Sequence, residues 1–187
     1  AGIGKLTRIP VFQLSDKKGN HMQKLESMDI AKKAMDIIKK GAFLTVKAGQ
    51  DMNTMTIGWA SIGHIWRKDV LMVAVRESRH TFGLIEKADN FTVSVPTSDY
   101  KKEVLFCGTK SGRDFNKFKE CDLKTANSKY VDSPIIDIPG YHFECKIIYK
   151  TAMDPKFLDS TYHEKLYSDK DYHTLYFGEI EACYKTE

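Results

Sequence analysis

The sequence predicts a β-barrel carrying peripheral helices. From Ala42 onward apolar residues recur mostly with the two-residue period of strands. Several of these runs follow one another in the chain, and the helical patterns between them are short inserts. A parallel sheet would need a crossover helix after nearly every strand, and the Gly-rich turn of a dinucleotide fold is missing. Gly108-Thr109-Lys110-Ser111-Gly112 has some of its letters but neither the Walker nor the Rossmann spacing. With 187 residues, 42% of them apolar, the chain is long enough to bury roughly 70% of its surface on folding. No repeat or linker divides it, so one domain is expected over residues 1–187, with an N-terminal extension and helix over 1–40 and the barrel over 41–187.

Residues 1–25 are polar and irregular, with one short extended candidate at Ile9–Leu14. A helix is expected from about Met28 to Lys40, because Ile30, Ala34, Ile37 and Ile38 fall on one face. Ser27 is placed to cap its start, Asp29 suits the first turn, and Lys39-Lys40-Gly41 suits its end. Ala42–Ala48 reads as a strand, Gly49-Gln50-Asp51 as a turn, and Met52–Ser61 as a second strand. Val70–Arg76 is apolar on both faces, which predicts a central strand. Ser78 is a suitable N-cap for a short helix over Arg79–Lys87, and Phe91–Val95 is a fourth strand stopped by Pro96. A further helical region opens near Ser98-Asp99 and ends at Gly108, and Lys110–Glu120 has room for another short helix. Tyr141–Tyr149 and His173–Tyr184 are late strands, separated by an irregular, polar and aromatic stretch at Asp154–Asp171.

The bulk numbers exclude several classes. Basic residues number 29 against 25 acidic, a net charge of +4 that is too mild and too evenly spread for nucleic-acid binding. The longest purely apolar run, Val70 to Val75, is far short of the ~20 residues of a membrane span. No apolar stretch of signal-peptide length stands at the N-terminus, so a cytoplasmic protein is expected. Cys107, Cys121, Cys145 and Cys183 are widely spaced, with no CxxC pair, and the histidines do not cluster, so no metal site is expected. They read as free thiols in a reducing compartment; for Cys107 both a redox role and simple burial stay open. His21, His64, His80, His142 and His163 have no ligand spacing and receive no role.

Two segments carry chemistry. Arg76-Glu77-Ser78-Arg79-His80-Thr81 puts two arginines and two hydroxyls where a strand gives way to a helix. Unpaired backbone N–H groups, the helix dipole and charge-assisted hydrogen bonds would there suit a phosphate dianion. A capped helix with surface ion pairs accounts for the same residues. Asn53-Thr54-Met55-Thr56-Ile57-Gly58-Trp59, continuing to Ala60 and Ser61, has no charge, and its small residues would let a flat ring approach the backbone. A buried core strand explains its apolar members equally well.

Taken with Phe91-Thr92-Val93-Ser94-Val95-Pro96 and His173-Thr174-Leu175-Tyr176-Phe177-Gly178-Glu179-Ile180, the two segments resemble the flavin reductase-like family, closest to its flavoredoxin-type members. The resemblance spans about Gly41 to Glu181. It implies an FMN-binding split β-barrel acting as a homodimer, with FMN ahead of FAD as the flavin. Asn53, Met55, Thr56 and Ile57 would line the ring, and Ala60 and Ser61 the ribityl chain. Arg76, Ser78, Arg79 and Thr81 would hold the phosphate, and the segment around Ser111 would close over the cofactor. His173 matches the family's histidine at the start of the last strand, a substrate-side position or a structural one, and Glu179 reads as a structural hydrogen-bonder. The implied activity is an oxidoreductase that takes a hydride from NAD(P)H, a transient donor, onto the flavin and passes electrons to an acceptor. An electron carrier reduced by a small redox protein, and a non-catalytic flavin-binding module, are the alternatives.

Overall fold

The structure, a computed structural model, describes residues 13–15 and 21–187. Chain order begins with strands β1 (Gln13–Ser15) and β2 (His21–Lys24), then helix α1 (Ser27–Ile38). Two hairpins follow: β3 (Ala42–Ala48) with β4 (Asp51–Ile57), and β5 (Ala60–Ile65) with β6 (Lys68–Arg76). Next come α2 (His80–Ile85), β7 (Asn90–Pro96), α3 (Lys101–Thr109) and α4 (Lys117–Glu120). The short pair β8 (Thr125–Ala126) and β9 (Ile135–Ile136) precedes β10 (Gly140–Ala152). After a 3-10 turn at Pro155–Phe157, α5 (Ser160–Leu166) leads to β11 (His173–Thr186). Of the Ile9–Leu14 candidate, residues 9–12 lie outside the described residues, and Gln13 and Leu14 belong to β1.

The main sheet is antiparallel and runs β4-β3-β7-β10-β11. The other edge of the long β11 pairs with β6 over His173–Glu179 and with β2 at Tyr184 and Lys185. Register shifts between β10 and β11 fall at Glu144/Cys145 and Ile147/Tyr149, and such bulges bend a strand and strengthen its twist. The sheet thereby curls around one core, in which Leu44, Val46, Leu71, Val73, Phe91, Val93, Phe143 and Tyr176 are all fully buried. Helix α1 covers this core with Ile30, Ala34 and Ile38, the face that the sequence period predicts. A second cluster, Phe43 with Cys107, Leu123, Ile136 and Ile138, lies behind α3. The architecture is mainly β with peripheral helices, a split barrel. Val70–Arg76 lies in a strand paired on both sides, by β5 and β11, as its two-faced apolar pattern predicts.

Three local expectations need correction. The strand expected over Met52–Ser61 breaks at Gly58-Trp59, where the chain leaves β3 as partner and takes up β6. Strand β5 continues to Ile65, its alternation hidden by Gly63 and His64, and turns through Trp66 and Arg67 at φ 55° and 59°. Two successive residues of positive φ match the right-handed twist of a tight hairpin, although neither is the usual Asn or Gly. Ser27 does not cap α1: it lies inside the helix and its hydroxyl donates to Asp69 at 2.7 Å, while Glu26 holds the cap position without a side-chain bond. The Asp154–Asp171 stretch contains α5, whose cap Asp159 accepts from the Thr161 N–H at 2.9 Å.

Candidate functional site

The site forms where β4, the start of α2 and the loop after α3 converge. Asn53 and Thr81, distant in sequence and both buried, are tied by a hydrogen bond from Asn53 Nδ2 to Thr81 Oγ1 at 2.8 Å. Facing them, the chain turns after α3, with the Asp114 and Phe115 N–H groups donating to the Ser111 carbonyl at 3.2 and 3.1 Å. Arg113 spans the gap, donating from Nη1 to the Ser78 carbonyl at 3.0 Å. Gly112 presses against the opposite wall: a Cβ there would lie 2.7 Å from His80 Cδ2 and collide with the Asn53 amide. Glycine is required by this close approach.

Between the walls lies a cleft of about 140 Å³. Asn53, Met55, Ser78, Arg79, His80 and Thr81 line one side, and Thr109–Arg113 with Lys117 line the other. The size suits an anionic group such as a phosphate rather than a three-ring system. Its electrostatics are one-sided. Arg79, Lys110, Arg113 and Lys117 all line the cleft, no carboxylate does, and none of the four makes an ion pair among the described residues.

Lys117 is the sharpest case. It is 3% exposed, and its ammonium donates to the Cys107 carbonyl at 2.8 Å. Burial lowers its pKa; the neighbouring Cys107 partly opposes this, and the Arg79 guanidinium adds a smaller effect in the lowering direction. A buried ammonium is costly unless paired, and an anion in the cleft would offset that cost.

The structure brings together Asn53, Met55, Ser78, Arg79, Thr81 and Ser111 from the sequence-derived set. Others stand apart. The Thr56 hydroxyl donates to the Val104 carbonyl of α3 at 2.5 Å, and Ile57 is buried in the core. Ala60 and Ser61 lie on β5 opposite Val73 and Met72. Arg76 turns away from the cleft: it donates to the carbonyls of Asp171 at 2.8 Å and Leu166 at 3.0 Å, and stacks over the Tyr167 ring at 5.2 Å. It also pairs with Asp169 at 3.3 Å and Asp171 at 3.6 Å. Ser78 is not the helix cap. Arg79 occupies that position, while Ser78 N–H and Oγ both donate to the Asp171 carboxylate, at 3.2 and 2.6 Å. Burial alone would raise the Asp171 pKa, but these two bonds and Arg76 outweigh it and hold the carboxyl below its usual range.

Beside this junction His173 sits under the half-exposed Trp59, with ring centroids 4.7 Å apart, and its Nδ1 is 2.8 Å from the Tyr167 hydroxyl. Burial, reinforced by the charge of Arg76, lowers its pKa to about 4, so the imidazole is neutral near pH 7. Sequence reasoning missed His80, Lys110 and Lys117 as cleft residues. The polar segment 110–120 has no apolar period, and the local excess of lysine and arginine around Gly112 is the signal that could have found the two lysines. Among the described residues no group of His, Cys, Asp and Glu is arranged to hold a metal ion, and no helix is long and apolar enough to cross a membrane.

Comparison with known proteins gives a consistent result. A family model described as the flavin reductase like domain matches residues 37–187. An uncharacterized protein of Archaeoglobus fulgidus is 30% identical over 138 residues, covering 74% of this chain and 68% of the relative. Among solved structures, flavoredoxin of Desulfovibrio vulgaris superposes with a TM-score of 0.62 at 22% identity, over 79% of this chain and 69% of that one. An FMN-binding domain of a flavin reductases-like enzyme from Shewanella baltica gives 0.64 at 18% identity, over 89% and 78%. The Streptomyces globisporus NADH:FAD oxidoreductase gives 0.59 at 15% identity, over 95% and 92%. At these identities the solved structures establish the fold.

Proposed function

The chain belongs to the flavin reductase-like family, and from that premise we propose that it is an FMN-binding oxidoreductase whose cationic cleft holds the flavin phosphate. The observation that carries this reading is the convergence of Arg79, Lys110, Arg113 and Lys117 on a phosphate-sized cleft without a carboxylate. The residues fit the group. Charge-assisted bonds from guanidinium and ammonium to phosphate oxygens are short and strong, and Gly112 leaves room for the close backbone approach.

When bound, FMN supplies the redox chemistry, accepting a hydride from NAD(P)H and releasing electrons to an acceptor. The chain's own residues bind and orient. Arg79 and Lys117 neutralise the phosphate, Arg113 holds the loop across it, and the Asn53–Thr81 bond sets the spacing of the walls. The flavin ring would lie against the outer edge of β4, with Asn53 and Met55 nearest the cleft. Strand β4 ends the sheet, so the backbone groups on its outer edge have no strand partner and are free to meet ring nitrogens and carbonyls. Neutral His173 and Trp59 stand on the substrate side. The protein acts as a cytoplasmic homodimer, and the exposed aromatic pair of Trp66 and Tyr149 supports burial of that face against a second copy.

Anaerobic addition of NADH or NADPH to the FMN-loaded protein tests the reaction. Rapid bleaching of the flavin absorption is expected. Bleaching only with a reduced ferredoxin- or rubredoxin-like donor would replace the reductase by an electron carrier, and a protein that takes up no FMN would refute both.

A further inference from the structure

Cys107 lies near the end of α3 and Cys121 directly follows α4, so the two flank the segment from which Thr109–Arg113 and Lys117 line the cleft. Their side chains meet. Cys121 packs against the cluster that contains Cys107, and the two sulfurs are within hydrogen-bonding reach. Hydrogen bonds close the circuit through Lys117. Its ammonium donates to the Cys107 carbonyl at 2.8 Å, and the Cys121 N–H donates to the Lys117 carbonyl at 3.1 Å. Cys107, Cys145 and Cys183 are buried, whereas Cys121 is partly exposed. The pair is therefore open to a small reagent at one sulfur.

We infer that Cys107 and Cys121 form an oxidisable dithiol, which a hydroperoxide converts to a disulfide that staples the cleft wall at both ends. Cys121, as its thiolate, attacks one oxygen of hydrogen peroxide; the O–O bond breaks, and the hydroxide released takes up a proton as water. Cys107 then attacks the sulfur of the Cys121 sulfenic acid, the S–O bond breaks, and hydroxide leaves with the Cys107 proton as a second water. Two thiols and one peroxide become one disulfide and two waters, and two electrons pass from the sulfurs to the peroxide oxygens. The division of roles follows from the surroundings. Burial, then the facing Cys121, push the Cys107 thiol up to about 12, which suits it to the second, intramolecular step. Burial raises the Cys121 pKa as well, but the bond from Cys107 and the nearby Lys117 ammonium oppose it. A disulfide removes freedom from the loop it closes, so the bridged wall opens less readily and FMN held behind it leaves more slowly. That last effect rests on the flavin reading above; the dithiol does not.

Treating the reduced, FMN-loaded protein with hydrogen peroxide, then alkylating the remaining thiols, tests both parts. Digestion with trypsin is expected to yield the Glu103–Lys110 and Glu120–Lys124 peptides joined through their cysteines, and dithiothreitol should separate them. Release of FMN from the oxidised protein, followed by flavin fluorescence, should slow about threefold or more and recover on reduction. Cys121→Ser, the milder substitution because its site is partly exposed, should give neither the link nor the slowing, and circular dichroism checks that it folds. Sulfenic or sulfinic acids on the two cysteines without the joined peptide overturn the dithiol. A joined peptide with unchanged FMN release overturns the staple. Should the protein take up no FMN, the flavin reading falls first, and the joined peptide still decides the dithiol. Limited trypsin cleavage at Arg113 then decides the staple: slower cutting of the oxidised chain supports it, and equal rates overturn it.

Discussion

Arg76 and Arg79, three positions apart, are chemically equivalent in the sequence and opposite in the structure. Strand β6 still holds Arg76, and its pairing with His173 aims the guanidinium at the 166–171 segment. Arg79 follows the turn and faces the cleft beside Lys117. The motif predicts an arginine facing an anion there; which of the two faces the cleft depends on Asp171, more than ninety residues downstream and invisible to local spacing. Replacing Arg79 by Ala should weaken FMN binding by roughly 1.5–3 kcal/mol, the usual worth of a hydrogen bond to a charged group. Titration of flavin fluorescence reads this directly, and unchanged affinity would remove Arg79 from the phosphate. Lys117 shows the complementary failure. A lysine in a polar run reads as surface, and only the fold reveals that it is buried against the Cys107 carbonyl.

At the scale of elements, the strands were readable where one face is apolar and the partner is close in sequence, as in the β3–β4 hairpin. The break at Gly58-Trp59 was not, because both halves are β-forming and only the change of partner distinguishes them. Helix α5 was hidden for a related reason: it buries none of its residues, so it has no apolar stripe, and it is held by its Asp159 cap and by the contacts of its last turn. Arg76 is the main tie of that turn to β6. Arg76→Ala should therefore cost stability on the order of 2 kcal/mol, lowering Tm by roughly 4–8 °C, while FMN affinity stays within about twofold. A thermal melt and a flavin titration on the same sample check both halves. A large loss of FMN affinity with an unchanged Tm would return Arg76 to the phosphate.

For the whole molecule, two buried histidines link the fold to pH. His142 sits among Ser94, Ile138 and Thr186, and burial lowers its pKa to about 4, as burial and Arg76 do for His173. Between the ordinary value of 6.5 and about 4, the unfolded chain carries protons on these groups that the native chain does not. Stability therefore falls as pH is lowered through that window, on the order of 3 kcal/mol for each histidine, and is fully present above it. Urea midpoints at pH 7, 5.5 and 4.5 should fall in that order, and equal midpoints would contradict the neutral, buried assignment. The same scale decides the central claim, that the family fold here is built to hold a flavin by its phosphate. Riboflavin is FMN without that phosphate, so comparing the two affinities isolates the cleft. FMN should bind roughly tenfold or more tightly than riboflavin, and Arg79→Ala should remove most of the difference. Equal affinity for FMN and riboflavin in the wild-type protein would contradict the account.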